Sequence, residues 1–453
     1  MTVLKQGQSA DIGLLLEGTY PYVSGGVSSW VNQIIKGFPE YTFALCFIGS
    51  QPSDYGDMRY ALPDNVVHLE VHYLHEPQSK PPVIKRKGNA QVFKEIRCLH
   101  DQYRHADSPK TETASLLASI MKHRNEGRYA EADFLYSRES WDYITEQYRE
   151  RCTDPSFVDY FWTVRIMHSP LWKLMALTES FIPVKVFHTI STGYAGFLGA
   201  LMKQRTGKPL ILSEHGIYTK ERKIDLFQAE WIRDNRGTLA KDSSEVAYFR
   251  HLWIRFFEAL GRDCYHHADR IIALYETNRL RQIQDGAPAE RTENIPNGIT
   301  FPHLAKVREQ RSDTIPLTIC LIGRVVPIKD IKTFIRAMRT VVNQLPTAEA
   351  WIAGPEDEDP DYATDCRSLV QGLGLSDHVK FLGFQRIDEL LPKVGLLVLS
   401  SISEALPLVI LEGYAAGVPC VSTDVGSWRQ LVEGLGPIDR SMGVSGEIVG
   451  IAN

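Results

Sequence analysis

The chain has 453 residues, of which 43% are hydrophobic and 23% are charged, and its formal net charge is −5. A chain of this length is expected to form two or three domains rather than a single hydrophobic core. The small negative charge gives no general attraction to nucleic acids or anionic membranes, so any anion site must be local. No stretch approaches about 20 consecutive apolar residues, so a membrane-spanning helix is not predicted.

The seven cysteines are scattered and form no CxxC pair, so neither a zinc site nor a disulfide framework is predicted. Several lie in apolar runs such as FALCF and LTICLIG, where reduced thiols in the core are expected. The N-terminus lacks the basic, apolar and small-residue order of a signal peptide. We therefore expect a cytoplasmic protein.

The first half of the chain alternates short apolar runs with helical stretches, the pattern of an open parallel sheet. The predicted strands are DIGLLLEG, YTFALCFIG, VVHLEVH, VKVFHTI, KPLILSEHG and DRIIALY. Between about residues 76 and 173 strand signals vanish, and stretches such as TASLLASIMKHRN have helical periodicity. We interpret this block as a helical insertion in a first domain that covers residues 1–300. A second helical stretch is predicted at about residues 228–268.

The segment NIPNGITFPHLAKVREQRSD is turn-rich and then charged, which predicts a linker. A second domain, residues 301–453, has the strand-like runs IPLTICLIGR, AEAWIAGPE, HVKFLGF, VGLLVLS and VPCVSTD. The predicted fold is therefore α/β, with two doubly wound, Rossmann-like domains facing each other across a cleft. After GEIVGIAN the chain stops where a further helix, or a pair, would normally complete such a domain.

Two basic residues, Arg324 and Lys329, follow the predicted strand LTICLIG. In an open α/β sheet, ligands bind beyond the C-terminal ends of the strands. Two cations in that loop can pair with a diphosphate, and a helix starting near Lys332 adds a partial positive charge. The alternative is a solvated pair of basic residues on a loop.

The segment SEALPLVILEGYAAGVP strengthens the first interpretation. Glu404 lies just beyond the strand GLLVLS, and Pro407 suits the first turn of a new helix. The free amides near Leu408 and Val409 would then be available to phosphate oxygens. Glu412 lies about two helical turns further on, and a carboxylate accepts two hydrogen bonds from a ribose diol. The alternative is an exposed Glu412 and a Glu404 that only caps the helix.

These motifs resemble the family 4 retaining glycosyltransferases: GR with K five residues on, E-x7-E ahead of a GVP turn, and the IPNG step at residues 295–298. Such enzymes have the GT-B fold, and the resemblance runs across almost the whole chain. It implies that Arg324 and Lys329 bind the donor diphosphate, that Glu404 lies by the donor sugar and that Glu412 binds ribose. The loop after HVKFLGF resembles the nucleobase pocket, which implies that Phe384 and its neighbours meet the uracil, largely through backbone groups.

The segments EGTYPYVSGGVSSWV and SEHGIYTKER and the helical insertion together look like the glycosyltransferases of Pel exopolysaccharide synthesis. This resemblance implies a UDP-hexose donor, a growing bacterial polysaccharide as acceptor, and inner-membrane Pel export components as partners. It also implies retention of anomeric configuration without a metal or other cofactor. The acidic run EDEDPD at residues 356–361 is interpreted as a solvated loop.

In the first domain, Gly25 and Gly26 open a helix, and glycine permits close backbone approach to a phosphate. A glycine pair alone usually marks only a turn. His215 follows the strand PLILSEHG, and the resemblance places it beside the transferred sugar. The alternative is a core histidine bonded to a carbonyl group.

Further polar residues follow His215 directly or lie in a similar predicted loop, VFHTISTGYAG. The candidates to meet an acceptor are Tyr218, Lys220, Glu221 and Arg222. Functional and structural roles are both open for His188 and Thr192. His266 and His267 are interpreted as surface or packing residues.

The predicted function is thus a retaining, metal-independent transfer of a hexose from a UDP-sugar to a Pel-type exopolysaccharide. Arg324, Lys329 and helix-end amides would stabilise the charge on the departing UDP. Glu404 would position the donor sugar, and His215 would stabilise it near the reacting carbon. Two alternatives stay open: a subunit that senses UDP-sugars without turnover, and a GT-B UDP-sugar epimerase.

Overall fold

A computed structural model describes residues 2–75, 86–105, 110–152, 155–228, 248–434 and 436–451. The chain divides into two compact units: Met1–Ala273 with Arg279–Glu293, and Leu274–Asn278 with Asn294–Asn453. The boundary therefore differs from the predicted one at residue 300. The short segment from Leu274 belongs to the second unit because Leu274 and Tyr275 pack with Leu406 in a small apolar cluster.

The first unit contains an eight-stranded sheet with the order β1-β4-β3-β2-β5-β6-β7-β8. Its strands are β1 (Thr2–Lys5), β2 (Ala10–Glu17), β3 (Phe43–Gly49), β4 (Val66–Tyr73), β5 (Val184–Thr189), β6 (Leu210–Glu214), β7 (Arg270–Ala273) and β8 (Thr292–Asn294). β1 is antiparallel to β4, and the neighbouring pairs from β4 through to β7 are parallel. Every residue of β3 is buried, as expected for a strand of a parallel sheet that is covered on both faces.

Ten helices are described up to residue 284 of the chain: α1 (Gly26–Gly37), α2 (Ala90–Arg104), α3 (Lys110–Asn125), α4 (Glu131–Tyr136), α5 (Arg138–Arg151), α6 (Phe157–Ser180), α7 (Tyr194–Thr206), α8 (Tyr218–Gln228), α9 (Tyr248–His267) and α10 (Glu276–Gln284). Helices α2 to α6 form one block between β4 and β5, which extends past the predicted limit of residue 173 to Ser180. Asn89, Ser137 and Ser156 cap three of these helices through side-chain oxygens that accept backbone N–H groups.

The second unit contains a six-stranded parallel sheet with the order β11-β10-β9-β12-β13-β14. Its strands are β9 (Thr318–Ile322), β10 (Glu349–Ala353), β11 (Val379–Gly383), β12 (Leu396–Leu399), β13 (Cys420–Thr423) and β14 (Gly446–Val449). The strand order reverses between β9 and β12. In doubly wound sheets, ligands bind at the C-terminal ends of the strands at such a switch point.

Seven helices accompany this sheet: α11 (Phe301–Glu309), α12 (Ile331–Gln344), α13 (Pro360–Gly372), α14 (Ile387–Leu390), α15 (Leu408–Ala415), α16 (Trp428–Glu433) and α17 (Pro437–Ser441). Helix α11 lies inside the predicted linker, so that prediction is wrong for this part of the segment. Leu304 and Val307 are 5% and 2% exposed and belong to the core of the second unit. The apolar residues three positions apart bind one side of α11 to the unit, while its charges lie elsewhere on the helix.

Cysteine packing agrees with the expectation of core thiols, since five of the seven cysteines are buried: Cys46, Cys264, Cys320, Cys366 and Cys420. Within the described ranges, no helix has both the length and the apolar character needed to cross a bilayer.

Candidate functional site

Three of the predicted donor-binding residues lie in the loops that follow β9 and β12, the strands that flank the switch point of the second unit. Arg324 follows β9, and Lys329 ends a short 3-10 turn ahead of α12. Glu404 lies in the loop that joins β12 to α15. The backbone N–H of Ile402 donates a 2.9 Å hydrogen bond to the carbonyl oxygen of Ile328, so the two loops are joined directly.

Lys329 and Glu404 form an ion pair between these two loops, through Nζ and Oε1. The same carboxylate oxygen accepts a 2.9 Å hydrogen bond from Ser401 Oγ, and Ser400 Oγ donates a 2.9 Å bond to the Lys329 carbonyl oxygen. The lysine and glutamate side chains are only 18% and 15% exposed. Removing one partner would leave the other charge largely shielded from water and unpaired, which is costly.

Arg324 is paired with a different carboxylate. Its Nη1 donates to Glu358 Oε1 at 2.6 Å, and both side chains are about half exposed, at 44% and 50%. Glu358 belongs to the acidic run 356–361, and this contact could not be predicted because 34 residues separate the two partners. A carboxylate and a phosphate present similar oxygen pairs to a guanidinium group. A bound diphosphate would therefore compete with Glu358 for Arg324.

Two glycines that sequence analysis did not single out allow these loops to approach closely. A Cβ atom at Gly354, after β10, would lie 1.9 Å from the carbonyl oxygen of Gly323. A Cβ atom at Gly426, after β13, would lie 2.2 Å from the carbonyl oxygen of Glu404, and Gly426 has a φ of +62°. Glycine is needed at both positions. The signal that could have found them is a glycine at or shortly after the end of a strand-like run.

The start of α15 has free backbone donors. Pro407 precedes the first helical residue, one position earlier than predicted, and provides no side-chain cap. The first turn contains no acidic residue, and the N–H groups of Leu408 and Val409 have no acceptor among the described residues. Such N–H groups, together with the helix dipole, favour an anion at this end.

Glu412 lies in the same helix and is half buried. Burial raises the pKa of its carboxyl group, and its side chain has no hydrogen-bond partner within the described ranges. Phe384 is 80% exposed on the loop after β11, at the edge of the sheet and two strands from β9. The structure therefore brings Lys329 and Glu404 into contact, but it leaves Phe384 on a separate strand end.

The first unit has a cavity of about 630 Å³ at the C-terminal ends of β2, β5 and β6, around its own strand-order reversal between β2 and β5. Its polar lining includes Glu17, Thr19, Ser191, His215, Tyr218 and Arg222. Aromatic walls come from Tyr55, Tyr194, Trp253 and Phe257. A concave site with apolar walls and a few converging polar groups is typical of small-molecule binding.

Glu17 is the centre of the polar part of this cavity. Its Oε1 accepts a 2.8 Å hydrogen bond from the Tyr218 hydroxyl, its Oε2 accepts a 3.1 Å bond from the Ala195 N–H, and Arg222 donates a 2.9 Å bond to the same tyrosine oxygen. A Cβ atom at Gly193 would lie 2.3 Å from the Tyr218 ring, so only glycine fits there. Glu17 was missed, although it is the last residue but one of the predicted strand DIGLLLEG.

His215 lines this cavity and is 8% exposed. Its ring packs edge-on against Trp30, with ring centroids 4.6 Å apart. Burial, and secondarily the nearby His188, lower the pKa of His215 to about 4, so the ring is neutral at neutral pH. Its Nε2 is buried without a hydrogen-bond partner among the described residues. His215 is therefore not the carbonyl-bonded core histidine of the alternative interpretation.

The residue before His215 fixes the position of its loop. Glu214 is 1% exposed, and its Oε1 accepts hydrogen bonds from Thr192 Oγ1 at 3.1 Å and from the Tyr218 N–H at 3.0 Å. Its Oε2 accepts bonds from the Tyr265 hydroxyl at 2.7 Å and from Gln282 Nε2 at 3.0 Å. Thr192 thus has an internal structural contact, and sequence analysis missed Glu214.

The remaining candidates of the first unit fall into two groups. Tyr218, Glu221 and Arg222 line the cavity, whereas the exposed Lys220 is not part of its lining. Gly25 precedes α1 and Gly26 is its first residue, both are exposed, and no atom lies within 4 Å of a Cβ built on either. Their backbone is therefore open to a ligand, but they do not line the cavity. In the described part of the chain, no three His, Cys, Asp or Glu side chains are grouped as metal ligands.

Comparison with known families covers both units. Residues 10–290, more than half of the chain, match the family described as Domain of unknown function (DUF3492). The chain belongs to this family. Residues 305–435, which include Arg324, Lys329, Glu404 and Glu412, match the family described as Glycosyl transferases group 1.

Two curated relatives match parts of the chain. The exopolysaccharide phosphotransferase SCO2592 of Streptomyces coelicolor is 34% identical over 160 residues, which are 35% of this chain and 16% of that protein. The D-inositol 3-phosphate glycosyltransferase of Streptomyces griseus is 24% identical over 254 residues, 51% of each chain. The chain thus spans about half, or less, of the length of these relatives.

The fold is shared with a solved structure. HepE of Anabaena, solved in complex with UDP and glucose, has a TM-score of 0.52 and 17% sequence identity, over 97% of this chain and 86% of that chain. This likeness, together with the two parallel sheets, confirms the predicted fold class, the GT-B fold with two Rossmann-like α/β units.

Proposed function

We propose that this chain is a retaining hexosyltransferase that moves a hexose from a UDP-sugar to a growing bacterial exopolysaccharide. The observation that carries the proposal is the Lys329–Glu404 pair, which joins the loops after β9 and β12 at the switch point of the second unit. Arg324 and the uncapped start of α15 lie in or next to the same loops. Cations and free N–H groups in such loops suit a sugar diphosphate.

Each donor group has a task for which its chemistry is suited. Arg324 and Lys329 bind the diphosphate, and the N–H groups of Leu408 and Val409 add neutral donors to its oxygens. Glu412, which has no side-chain partner among the described residues, accepts hydrogen bonds from the ribose hydroxyls. When the phosphates draw Lys329 away, Glu404 keeps its bond from Ser401 and gains the sugar hydroxyls as new donors. Phe384 and its neighbours are proposed to meet the uracil.

The reaction forms a bond from the acceptor oxygen to the anomeric carbon and breaks the bond from that carbon to the β-phosphate oxygen. The acceptor attacks from the face that UDP leaves, and the β-phosphate oxygen takes its proton. Without a metal ion, the charge on UDP is stabilised by Arg324, Lys329 and the α15 amides, and one such donor contributes about 3 kcal/mol. His215 is proposed to contact the transferred sugar, because its neutral ring has no charge to repel a positively charged anomeric carbon and its Nε2 is free to bond a sugar hydroxyl.

We further propose that the polysaccharide is of the Pel type. The chain would then act like PelF, in the cytoplasm and beside inner-membrane export components. This assignment rests on the N-terminal segments EGTYPYVSGGVSSWV and SEHGIYTKER and on the helical block α2–α6. The HepE structure supports UDP as the nucleotide of the donor, since it was solved with UDP and glucose. The Streptomyces coelicolor relative supports an exopolysaccharide substrate, although its name describes a phosphotransferase.

The test is a donor screen on the full chain with UDP-glucose, UDP-galactose and their N-acetylhexosamine counterparts, with and without polysaccharide acceptor. Hexosyl transfer releases UDP and extends the glycan. Release of UMP would mean that a sugar phosphate is transferred instead, and a new UDP-sugar would mean epimerisation. Saturable binding without any product would favour a sensor. Any of these last three outcomes would contradict the proposal.

A further inference from the structure

A second cavity, of about 420 Å³, lies among the helices of the first unit. Helices α2 to α6, α7 and α9 all contribute to its lining, and most of these side chains are apolar or aromatic, for example Leu99, Phe134, Ile144 and Trp172. Protein interiors are close-packed and contain few voids larger than a water molecule. A cavity of this size lies within the range of about 300–1,000 Å³ that is usual for ligand sites.

One polar side chain in this lining is not satisfied by the protein. Gln147 is 3% exposed, and its Oε1 accepts a 2.6 Å hydrogen bond from Arg104 Nη2. That bond fixes the orientation of the amide, because the flipped amide would place its NH₂ donor against the guanidinium donor. Gln147 Nε2 is buried and has no hydrogen-bond partner among the described residues. Since buried donors are rarely left unpaired, the cavity lacks an acceptor at this point.

The charged residues of the lining are all basic. Arg104, Arg151 and Arg255 line the cavity, while no aspartate or glutamate does so in the described part of the chain. Arg151 and Arg255 are exposed and mark the side of the cavity that is open to solvent. Asp101 pairs with Arg104 at 2.6 Å and with Arg151 at 2.9 Å, so it neutralises part of this charge from outside the lining. A guanidinium rim favours a carboxylate or phosphate group.

Three other polar side chains of the wall, those of His168, His100 and Tyr143, satisfy one another. His168 Nδ1 donates to the Val164 carbonyl oxygen at 2.7 Å, so its Nε2 accepts from His100 Nε2 at 3.2 Å. The Tyr143 hydroxyl then donates to His100 Nδ1 at 2.6 Å. Burial lowers the pKa of both histidines, which are therefore neutral. The His100, His168 and Tyr143 part of the wall therefore has no donor to offer.

We propose that this cavity binds a single-chain anionic amphiphile, with its apolar chain between the helices. An oxygen of its head group accepts a hydrogen bond from Gln147 Nε2 and lies near Arg104 and Arg151. A fatty acid and an alkyl or prenyl phosphate share this chemistry. The inference does not depend on the proposed glycosyl transfer, because none of the donor residues of the second unit takes part in it.

The test is a calorimetric titration of the full chain with decanoate, decyl phosphate and, as the uncharged counterpart, decanol. We expect saturable binding of at least one anion and binding of decanol that is at least about tenfold weaker. The anion that binds more tightly shows whether the natural head group is a carboxylate or a phosphate. The absence of saturable binding of both anions up to about 1 mM, or equal binding of decanol, would overturn the proposal.

Two variants locate the site. Gln147→Glu keeps an acceptor for Arg104 but replaces the free donor with a carboxylate oxygen, so the variant is expected to fold and to bind the anions about tenfold more weakly. Ile144→Trp places a larger side chain in the cavity and is expected to weaken binding of the anions. Gln344→Glu, on an exposed position of α12 in the second unit, is the charge-matched control. Anion affinity of Gln147→Glu equal to that of the control would refute the assignment, as would full binding by Ile144→Trp.

Discussion

Glu404 lies in the loop before α15 and Glu412 lies within this helix. Their carboxylates have different hydrogen-bond partners. Glu404 accepts from Lys329 and Ser401, and its charge is therefore already compensated within the chain. Glu412 is half buried, its pKa is raised by burial, and its side chain has no partner in the described part of the chain. An acceptor of this kind is costly in the free protein and becomes favourable once a ligand supplies donors.

Replacing Glu412 with glutamine is therefore expected to have opposite effects on stability and on nucleotide binding. A raised pKa means that the ionised carboxylate costs stability at neutral pH, so Glu412→Gln should raise the melting temperature. The variant should bind UDP about tenfold more weakly, because charge-assisted hydrogen bonds to ribose contribute about 1.5–3 kcal/mol. Calorimetric titration with UDP and with 2′-deoxy-UDP measures this. Equal losses of affinity for the two nucleotides would exclude the ribose contact.

Glu214 provides a second prediction at the residue scale. Its two carboxylate oxygens accept four hydrogen bonds in the interior of the first unit. In Glu214→Gln, the new NH₂ group faces at least one of these donors, which should lower the free energy of unfolding by about 1–3 kcal/mol. Urea unfolding of this variant, compared with the exposed substitution Glu290→Gln, measures the effect. Unchanged stability of Glu214→Gln would show that the network does not hold the His215 loop.

The proposed donor residues could be grouped from the sequence because their spacing is local. Arg324 and Lys329 share one loop, and Glu404 and Glu412 share one strand-to-helix connection. Contacts over long separations left no comparable signal, since Glu17 meets Tyr218 across 201 positions. A site formed by residues far apart in the sequence cannot be recognised until the order of the strands in the sheet is known.

At the scale of secondary structure elements, β4 contains an ionic group inside the sheet. His68, Glu70 and His72 are two positions apart and therefore lie on the same face of this strand. They are 2%, 1% and 7% exposed. Each histidine Nε2 lies 2.9 Å from a different oxygen of Glu70. Burial alone would raise the pKa of Glu70, but the hydrogen bonds from His72 and His68 outweigh it, and the pKa is lowered.

A lowered pKa in the folded state means that ionised Glu70 stabilises the protein above its unfolded pKa of about 4.3. This contribution is lost as the pH falls through the folded pKa. Glu70→Gln should therefore be less stable than the natural chain at neutral pH, with a difference that shrinks as the pH falls below about 4.3. Denaturant unfolding across this pH range measures it. A difference that stays constant with pH would contradict the assigned ionisation.

Strands that lie in apolar runs were easier to predict than strands that do not. The four-residue strands β7, β12 and β13 lie in such runs and were predicted, whereas β1 and β14, also of four residues, were not. Helix α11 was taken for a linker because proline, glycine and charges dominate its surroundings. Only two apolar positions, Leu304 and Val307, bind it to the core. The sequence of so short a helix contains too little periodicity to outweigh its turn signals.

At the scale of the whole molecule, the two units have separate apolar cores, since each buried cluster contains residues of one unit. A ligand that binds the second unit should therefore stabilise that unit first. At a concentration about 100 times its Kd, UDP should stabilise the unit by about 2.7 kcal/mol. Hydrogen exchange measured by mass spectrometry should slow in peptides covering β9, β12 and α15. Protection confined to peptides of the first unit would place the nucleotide elsewhere.

The most direct test of the proposed transfer is the rate of UDP release, with acceptor present, by Lys329→Met and by Lys380→Met. Lys380 is an exposed lysine of β11 that also forms an ion pair, with Glu349, and therefore controls for the loss of a surface charge. The account predicts release at least about 100-fold slower in Lys329→Met, as expected for one lost donor to a developing oxyanion, and an unchanged rate in Lys380→Met. Equal rates in the two variants would contradict it.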